Sequence, residues 1–259
     1  MTAVLRLASW GYALALYGFI FLPVVVLVLF SFQDGRLPIP PFEGPTLRWY
    51  AAVWQDRSLT AALGNSFVVA LASSAVSCAL GFLAAWGLAR GRLAGGRAMQ
   101  GLITAPLTVS YLLIGLGLMI SFNLTGISPS LLTVGIGHAV INTPLCFAIC
   151  FASMGDHQVN IERAARDLGA REWQVLWLVT APMLLPALAA GFALSVTFSW
   201  DEFIIAFLLS RFDVTLPVEI WSLLRSGLNP KTNAAGSVVF LVSVAMVLAA
   251  EFTLLRRRR

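Results

Sequence analysis

The sequence predicts an all-α integral membrane protein with six transmembrane helices and a charged helix outside the bilayer between the fourth and fifth. Three observations predict it. Of 259 residues, 59% are hydrophobic and only 11% charged, well below the roughly 25% charge of an ordinary soluble domain, and mean hydropathy is +0.85. The charges leave long runs free. Where they occur they cluster, mostly as arginine, between runs long enough for the ~20 apolar residues a spanning helix needs.

The first run lies between Arg6 and Asp34. It is longer than the roughly 7–15 apolar residues of a signal-peptide core, and no small-x-small cleavage site precedes Asp34, so it reads as a retained first helix. From Asp34 to Leu59 the chain passes through "LPIPPFEGP", which cannot be helical, into "TLRWYAAVWQ". There Trp49, Tyr50, Val53 and Trp54 recur at helical spacing behind Thr46 as N-cap, the pattern of an interfacial helix with its rings at headgroup level. The second span lies between Arg57 and Arg90. The next charge-free run, Arg97 to Asp156, is too long for one crossing, so "NLTGISPS" (Asn123 to Ser130) divides it into the third and fourth spans. After the charged segment, a fifth span is entered through Pro182. From Arg211 to Asn233, Pro217 opens a short amphipathic stretch expected to lie at the membrane surface. The sixth span runs from about Ala234 to Leu255 and ends in "RRRR". Three regions follow: 1–58 with the first helix and its loop, 59–255 as the main transmembrane domain, and 256–259 as a basic tail.

Charge orients the chain. With the N-terminus in the cytoplasm, the inner side holds Arg6, Arg90, Arg92, Arg97, Arg163, Arg166, Arg171 and the terminal arginines, packed against span ends as the positive-inside rule requires. Both termini are then cytoplasmic. The net charge of +5 is explained by this lipid-facing asymmetry and calls for no nucleic acid. Cys78, Cys146 and Cys150 all fall in apolar runs, which argues against a disulfide framework. Cys146 and Cys150 stand one turn apart, but no His or carboxylate sits at ligand spacing beside them, so no metal site is expected. Two well-separated histidines supply no catalytic constellation for an enzyme. His138, near Gly135 and Gly137, suits an interhelical hydrogen bond, and His157 a surface position.

The charged segment is "IERAARDLGAREWQVLWLVTAPMLLP", residues 161–186. On a helical wheel Ala164, Ala165 and Leu168 share one side, and Glu162, Arg163, Arg166 and Asp167 cover much of the other. Glu162 with Arg166 and Asp167 with Arg171 stand at i, i+4 with the acid first. Gly169 allows a turn that a Cβ would hinder. Such a helix can rest on lipid headgroups, but its apolar side offers mainly Ala, which suits a protein cleft better.

"ERAARDLGAREWQVLWLVTAPMLLPALAAG" resembles the cytoplasmic signature loop, the EAA loop, of binding-protein-dependent (MetI-like) ABC import permeases, with the next membrane helix. The resemblance extends from about Leu59 through "ALGNSFVVAL", "LGFLAAWGLAR", "GHAVINTPLCF" and "SWDEFIIAFLLS", and the last, with "TLPVEIWSLLRSGLNPKTNAAGSV", is most similar to the spermidine/putrescine branch. It implies an ATP-driven importer of a small, cationic or amino-bearing solute in the bacterial inner membrane. In that family the loop is a coupling helix docking on the ATPase. Carried over, the coupling residues are Glu162, Arg163, Ala164, Ala165, Asp167, Gly169 and Ala170, with Pro182 as the closing proline. Two positions depart from the pattern: Arg163 stands where the acid is usual, with Glu162 one place earlier, and Ala181 replaces a leucine. No phosphate loop occurs, and Lys231 is the single lysine, so ATP and Mg belong to separate cytoplasmic ATP-binding cassette subunits. A second permease chain and a periplasmic solute-binding protein are the other implied partners.

Asp201 and Glu202 interrupt an apolar run and are placed in the outer half of the fifth span, where a carboxylate costs about 2.5–3.5 kcal/mol even on an insertion scale. Either they line the translocation path, with Trp200 stacking on the solute, or they pair with a polar group of the partner permease. An ion-gradient-driven transporter using Asp201 or Glu202 is the alternative from another class, though it leaves the charged loop without a task.

Overall fold

The computed structural model describes residues 3–91 and 95–256. Arg92 and 257–259, which carry part of the expected inner charge and most of the basic tail, lie outside the described residues. The described chain is almost wholly helical, with one isolated bridge between Gln33 and Pro45. Its elements are α1 (Ala3–Ser31), α2 (Arg48–Gln55), α3 (Arg57–Arg90), α4 (Gly96–Thr104), α5 (Tyr111–Leu124), α6 (Leu131–Ala152), α7 (Asp156–Asp167), α8 (Glu172–Met183), α9 (Leu185–Asp201), α10 (Ile204–Leu209), α11 (Leu216–Ser226) and α12 (Pro230–Arg256).

Four helices are long and apolar enough to cross a membrane, and the number reaches six if each of two bent pairs is one span. The two bent pairs occupy the third and fifth of the six expected spans. In the third, α4 passes through a 3₁₀ turn at Ala105–Thr108 and α5 departs at 103°. Pro106, which has no N–H to donate, stands in that turn. In the fifth, the first part winds as a π-helix over Val175–Thr180, and α9 leaves α8 at 72° around Leu184. Pro182 and Pro186 flank the bend, and both causes are known breakers of a regular ladder.

One compact unit comprises 1–60 and 219–242. Here Gln33, 2% exposed, organises the Pro-rich loop: its side-chain amide donates to the Pro41 carbonyl at 3.1 Å and its Oε1 accepts the Glu43 N–H at 3.0 Å. The expected aromatic face of α2 is only partly a lipid-facing one. Trp49 donates its ring N–H to the Gln33 carbonyl at 2.7 Å, Tyr50 shares a hydrogen bond with Ser31 at 2.7 Å, and Val53 is buried. Trp54 alone of the four stays largely exposed. The polar tips of Trp49 and Tyr50 found partners in the loop and at the end of α1. Thr46 does accept the Arg48 N–H, at 3.2 Å, although the helix itself begins at Arg48. Lys231 pairs with Asp56, and the hydrogen-bonded ammonium holds that carboxyl well below the usual carboxylate range, so the pair survives mild acidification.

The other unit comprises 61–218 and 243–259. Its helices approach closely where glycine permits: a Cβ on Gly81 of α3 would lie 2.6 Å from the Phe147 backbone nitrogen of α6, and one on Gly137 of α6 would lie 2.5 Å from Ile205. Around Gly137 pack Val134, Ile141, Ile205 and Leu209, and around Gly81 pack Phe82, Ala85, Phe147 and Leu184. The expected turn at "NLTGISPS" is present, with Gly126 at φ +73 and the Ser130 N–H donating to Thr133 Oγ1 at 2.8 Å. The stretch after α10 is fastened to α3: Ser66 Oγ accepts the Leu216 N–H at 2.8 Å and the Asn65 amide donates to the Val214 carbonyl at 3.0 Å. Pro217 lies in the first turn of α11, as its sequence position suggested.

Candidate functional site

The charged segment folds as a helical hairpin. α7 starts at Asp156, where the Gln158 side chain accepts the Gly155 N–H at 3.0 Å. It stops at Gly169, which has φ +91 and donates to the Arg166 carbonyl while Ala170 donates to that of Ala165. These paired bonds satisfy the last carbonyls of the helix and need a left-handed residue at the turn. The Gln174 side chain then accepts the Arg171 N–H at 2.8 Å as α8 begins.

Glu162 departs from the expected arrangement. The wheel set it on the charged face with Arg163, Arg166 and Asp167, whereas its side chain is fully buried. Arg90, the last residue of α3, donates to it twice, from Nε at 2.6 Å and Nη2 at 3.2 Å. Thr180 of α8, itself buried, donates its hydroxyl at 2.9 Å. A bidentate, charge-assisted bond of this kind is among the stronger polar contacts available. Arg166 is 3.9 Å from Glu162 across one turn, but its fork closes on Glu172, at 2.7 and 3.1 Å. The expected Asp167–Arg171 pair does not form, because the Gly169 turn separates Arg171 from α7. Arg163, Ala164, Asp167 and Gly169 are exposed, Ala165 and Ala170 half-buried, and Leu168 is 90% exposed.

Thus α7 is joined to α3 and α8 through one carboxylate while presenting Ala164, Leu168 and Gly169 outward. Sequence reasoning missed Arg90 and Thr180 as parts of this site. Arg90 was counted only as an inner-side charge, and no local spacing connects it to Glu162.

The second candidate region lies at Trp200–Glu202. The fifth-span helix ends at Asp201, and the chain is extended at Glu202 before α10 begins. The adjacent acids point apart. Glu202 is buried and accepts the backbone N–H groups of Ile204, Ile205 and Ala206 at 3.0, 2.9 and 3.2 Å, so it serves donors that a helix start leaves free. His138 Nε2 is 3.5 Å from Glu202, and its Nδ1 is 2.6 Å from Ser199 Oγ, which is 3.2 Å from Ser73 Oγ. Among the described residues Nε2 has no hydrogen-bond partner, so the ring is held through Nδ1. His138 therefore makes the interhelical bond its position suggested, in a polar chain crossing α3, α6 and α9. Trp200 is 1% exposed and packs on Phe67 with ring centroids 4.7 Å apart. Trp200 and Glu202, both expected on the path, are buried in the interior of this chain. Asp201 is exposed, with Ser243 Oγ 3.4 Å away.

Cys78, Cys146 and Cys150 are free and buried, and among the described residues no three His, Cys, Asp or Glu gather as a metal site.

Comparison with known proteins agrees with this architecture. Residues 77–258 match the family described as binding-protein-dependent transport system inner membrane component. The spermidine/putrescine transport system permease protein PotC of Escherichia coli K12 is 28% identical over 95% of this chain and 93% of its own length. The putrescine transport system permease protein PotI of the same organism is 31% identical over 90% of this chain and 86% of its own. A molybdenum transport system permease protein, ModB of Mycobacterium bovis, is also 31% identical, over 93% and 92%. Among solved structures, a bacterial alginate ABC transporter, in complex with its alginate pentasaccharide-bound periplasmic protein, has a chain that superposes with a TM-score of 0.72 at 17% identity, covering 95% of this chain and 92% of that one. The chain belongs to the binding-protein-dependent inner membrane component family and is an ABC importer permease subunit.

The buried carboxylate gives a direct stability test. Glu162→Gln leaves the Arg90 guanidinium without its counter-charge, a loss of about 3–5 kcal/mol when one partner of a buried pair is removed. The thermal midpoint of the purified protein in detergent is expected to fall, and adding Arg90→Gln to the same chain to recover part of the loss. An unchanged midpoint in the single variant would show that the pair does not hold α7.

Proposed function

We propose that this permease subunit carries a small cationic amine of the polyamine type across the bacterial inner membrane, driven by ATP that a separate cassette subunit hydrolyses. The observation that carries the coupling half of this reading is the Glu162 junction. One helix, exposed at Ala164, Leu168 and Gly169, is joined by a buried ion pair and a hydroxyl bond to the end of the second span and to the broken start of the fifth. A displacement of α7 is then a displacement of both spans.

The same reading places α7 on the cytoplasmic side, with both termini, because the arginines gather there. ATP and Mg are held by the partner, since this chain has no phosphate loop. A second permease completes the path, and a periplasmic binding protein delivers solute, the mode of supply in the family's name. An ion-gradient mechanism has no use for the junction.

For the solute, the names of PotC and PotI, whose match spans at least 90% of this chain, support a polyamine. Asp201 also favours a cation. It is an exposed carboxylate at the end of a membrane helix, beside a single weak hydroxyl donor, and a path for an oxyanion would be repelled by it. Of the three residues first assigned to the path, Asp201 alone retains that role here.

Two measurements on the importer reconstituted with its partners test this. Arg in place of Gly169 meets open space around the turn, so its bulk projects to the docking side while φ +91 strains the backbone. Gly169→Arg is expected to abolish solute-stimulated ATP hydrolysis while the chain still inserts, and wild-type stimulation would remove the coupling assignment. Asp201→Asn is expected to retain assembly and basal ATP hydrolysis but to lower putrescine or spermidine uptake at least tenfold. Reduced assembly instead would make Asp201 a contact to the second permease, and no change in either would exclude it from the mechanism.

A further inference from the structure

The side of α7 turned to the end of α3 carries Asp156, Val159, Arg163 and Arg166 at helical spacing. With Arg90 and Glu172 they line an open cleft of about 820 Å³. Its charges are unevenly matched. Arg90 is committed to Glu162, and Arg166 to Glu172. Asp156 sits in the first turn of α7, where the helix N-terminus favours an anion. Arg163 is exposed, and among the described residues it makes no ion pair or hydrogen bond. The two other guanidinium groups beside it are neutralised by their own carboxylates, which leaves Arg163 as the unpaired guanidinium of the cleft. A guanidinium fork is well shaped for a carboxylate, which it binds through two parallel bonds.

We propose that Arg163 is a docking charge that takes an acidic side chain, Asp or Glu, of the ATPase subunit entering this cleft. The inference rests on the coupling reading of α7 and adds the sign of the contact. Glu162 cannot make that contact, because Arg90 and Thr180 hold it fully buried. Its neighbour Arg163 is next on the helix and adjoins the outward Ala164–Leu168 surface, so the contact proposed for it is cationic on the permease side, with the exposed Asp167 one turn further along. A protein carboxylate fits better than a lipid phosphate, because the unpaired Asp156 on the same wall repels a sheet of anionic headgroups, whereas one protruding side chain can pass beside it.

The test measures affinity of the ATPase subunit for the assembled permease in nanodiscs of zwitterionic lipid, at low and moderate salt. Arg163→Gln is expected to weaken association about tenfold and flatten its salt dependence, Arg163→Glu to weaken it about a hundredfold, and Arg163→Lys to keep most of it. Wild-type affinity and salt dependence in both the Gln and Glu variants would overturn the assignment. So would a loss that appears only when anionic lipid is included, since that assigns the charge to a headgroup. Gly169→Arg measured alongside separates the two readings: if it loses association while Arg163→Glu does not, only the Arg163 contact fails, and if both bind normally the coupling reading fails with it.

Discussion

A carboxylate withdrawn from water has to find its counter-charge inside the protein, and Glu162 finds it on another helix. Burying an isolated anion is so unfavourable that the site exists only because Arg90 meets it with two bonds and Thr180 with a third. The consequence is mechanical. α7 could otherwise be a surface helix held by one glycine turn, but the shared carboxylate obliges it to keep its place against the last residue of α3 and the π-helical part of α8. The irregular winding there belongs to the same arrangement, since Thr180 is the last residue of the π-helical turn.

The fifth span answers the same constraint at its other end. There the backbone itself is interrupted, and Glu202 accepts the amide groups freed at Ile204–Ala206. The opposite end of α10 is held by Ser130 and Thr133 on its Leu209 carbonyl. His138 and Ser199 bond to each other beside Glu202, so one of two adjacent acids is structural while Asp201 is left facing outward. The helix ends between them, and the extended backbone at Glu202 separates a cap from a proposed cation contact.

The spans were legible because apolar runs between charges obey a length rule that the bilayer imposes. Gly169 was legible because a left-handed turn prefers that residue, and His138 because an imidazole among small residues in a membrane seeks a partner helix. The bends were less so: Pro106, Pro182 and Pro186 were visible, but hydropathy does not say whether a proline kinks a span or merely opens one. Glu162 was misplaced because its partner stands 72 residues away, and a wheel considers one helix only. Trp49 and Tyr50 resembled an aromatic belt for the same reason, since their partners, Gln33 in the loop and Ser31 at the end of α1, lie outside their own helix. Trp200 could be a stacking ring or a packed one by sequence, and Phe67 on α3 decides it.

The central claim is that α7 moves as one body with the end of α3. Spin labels at His157→Cys and Gly91→Cys, two exposed positions, report their separation by pulsed electron paramagnetic resonance in a background lacking the buried cysteines. The measurement compares the assembled importer without nucleotide and trapped with ATP. Superimposable distance distributions in the two states are expected with Glu162 in place, and a broadened distribution with Glu162→Gln. A distance that changes between the states in the otherwise native chain would contradict the account, because α7 would then be sliding on the helix to which it is held to be joined.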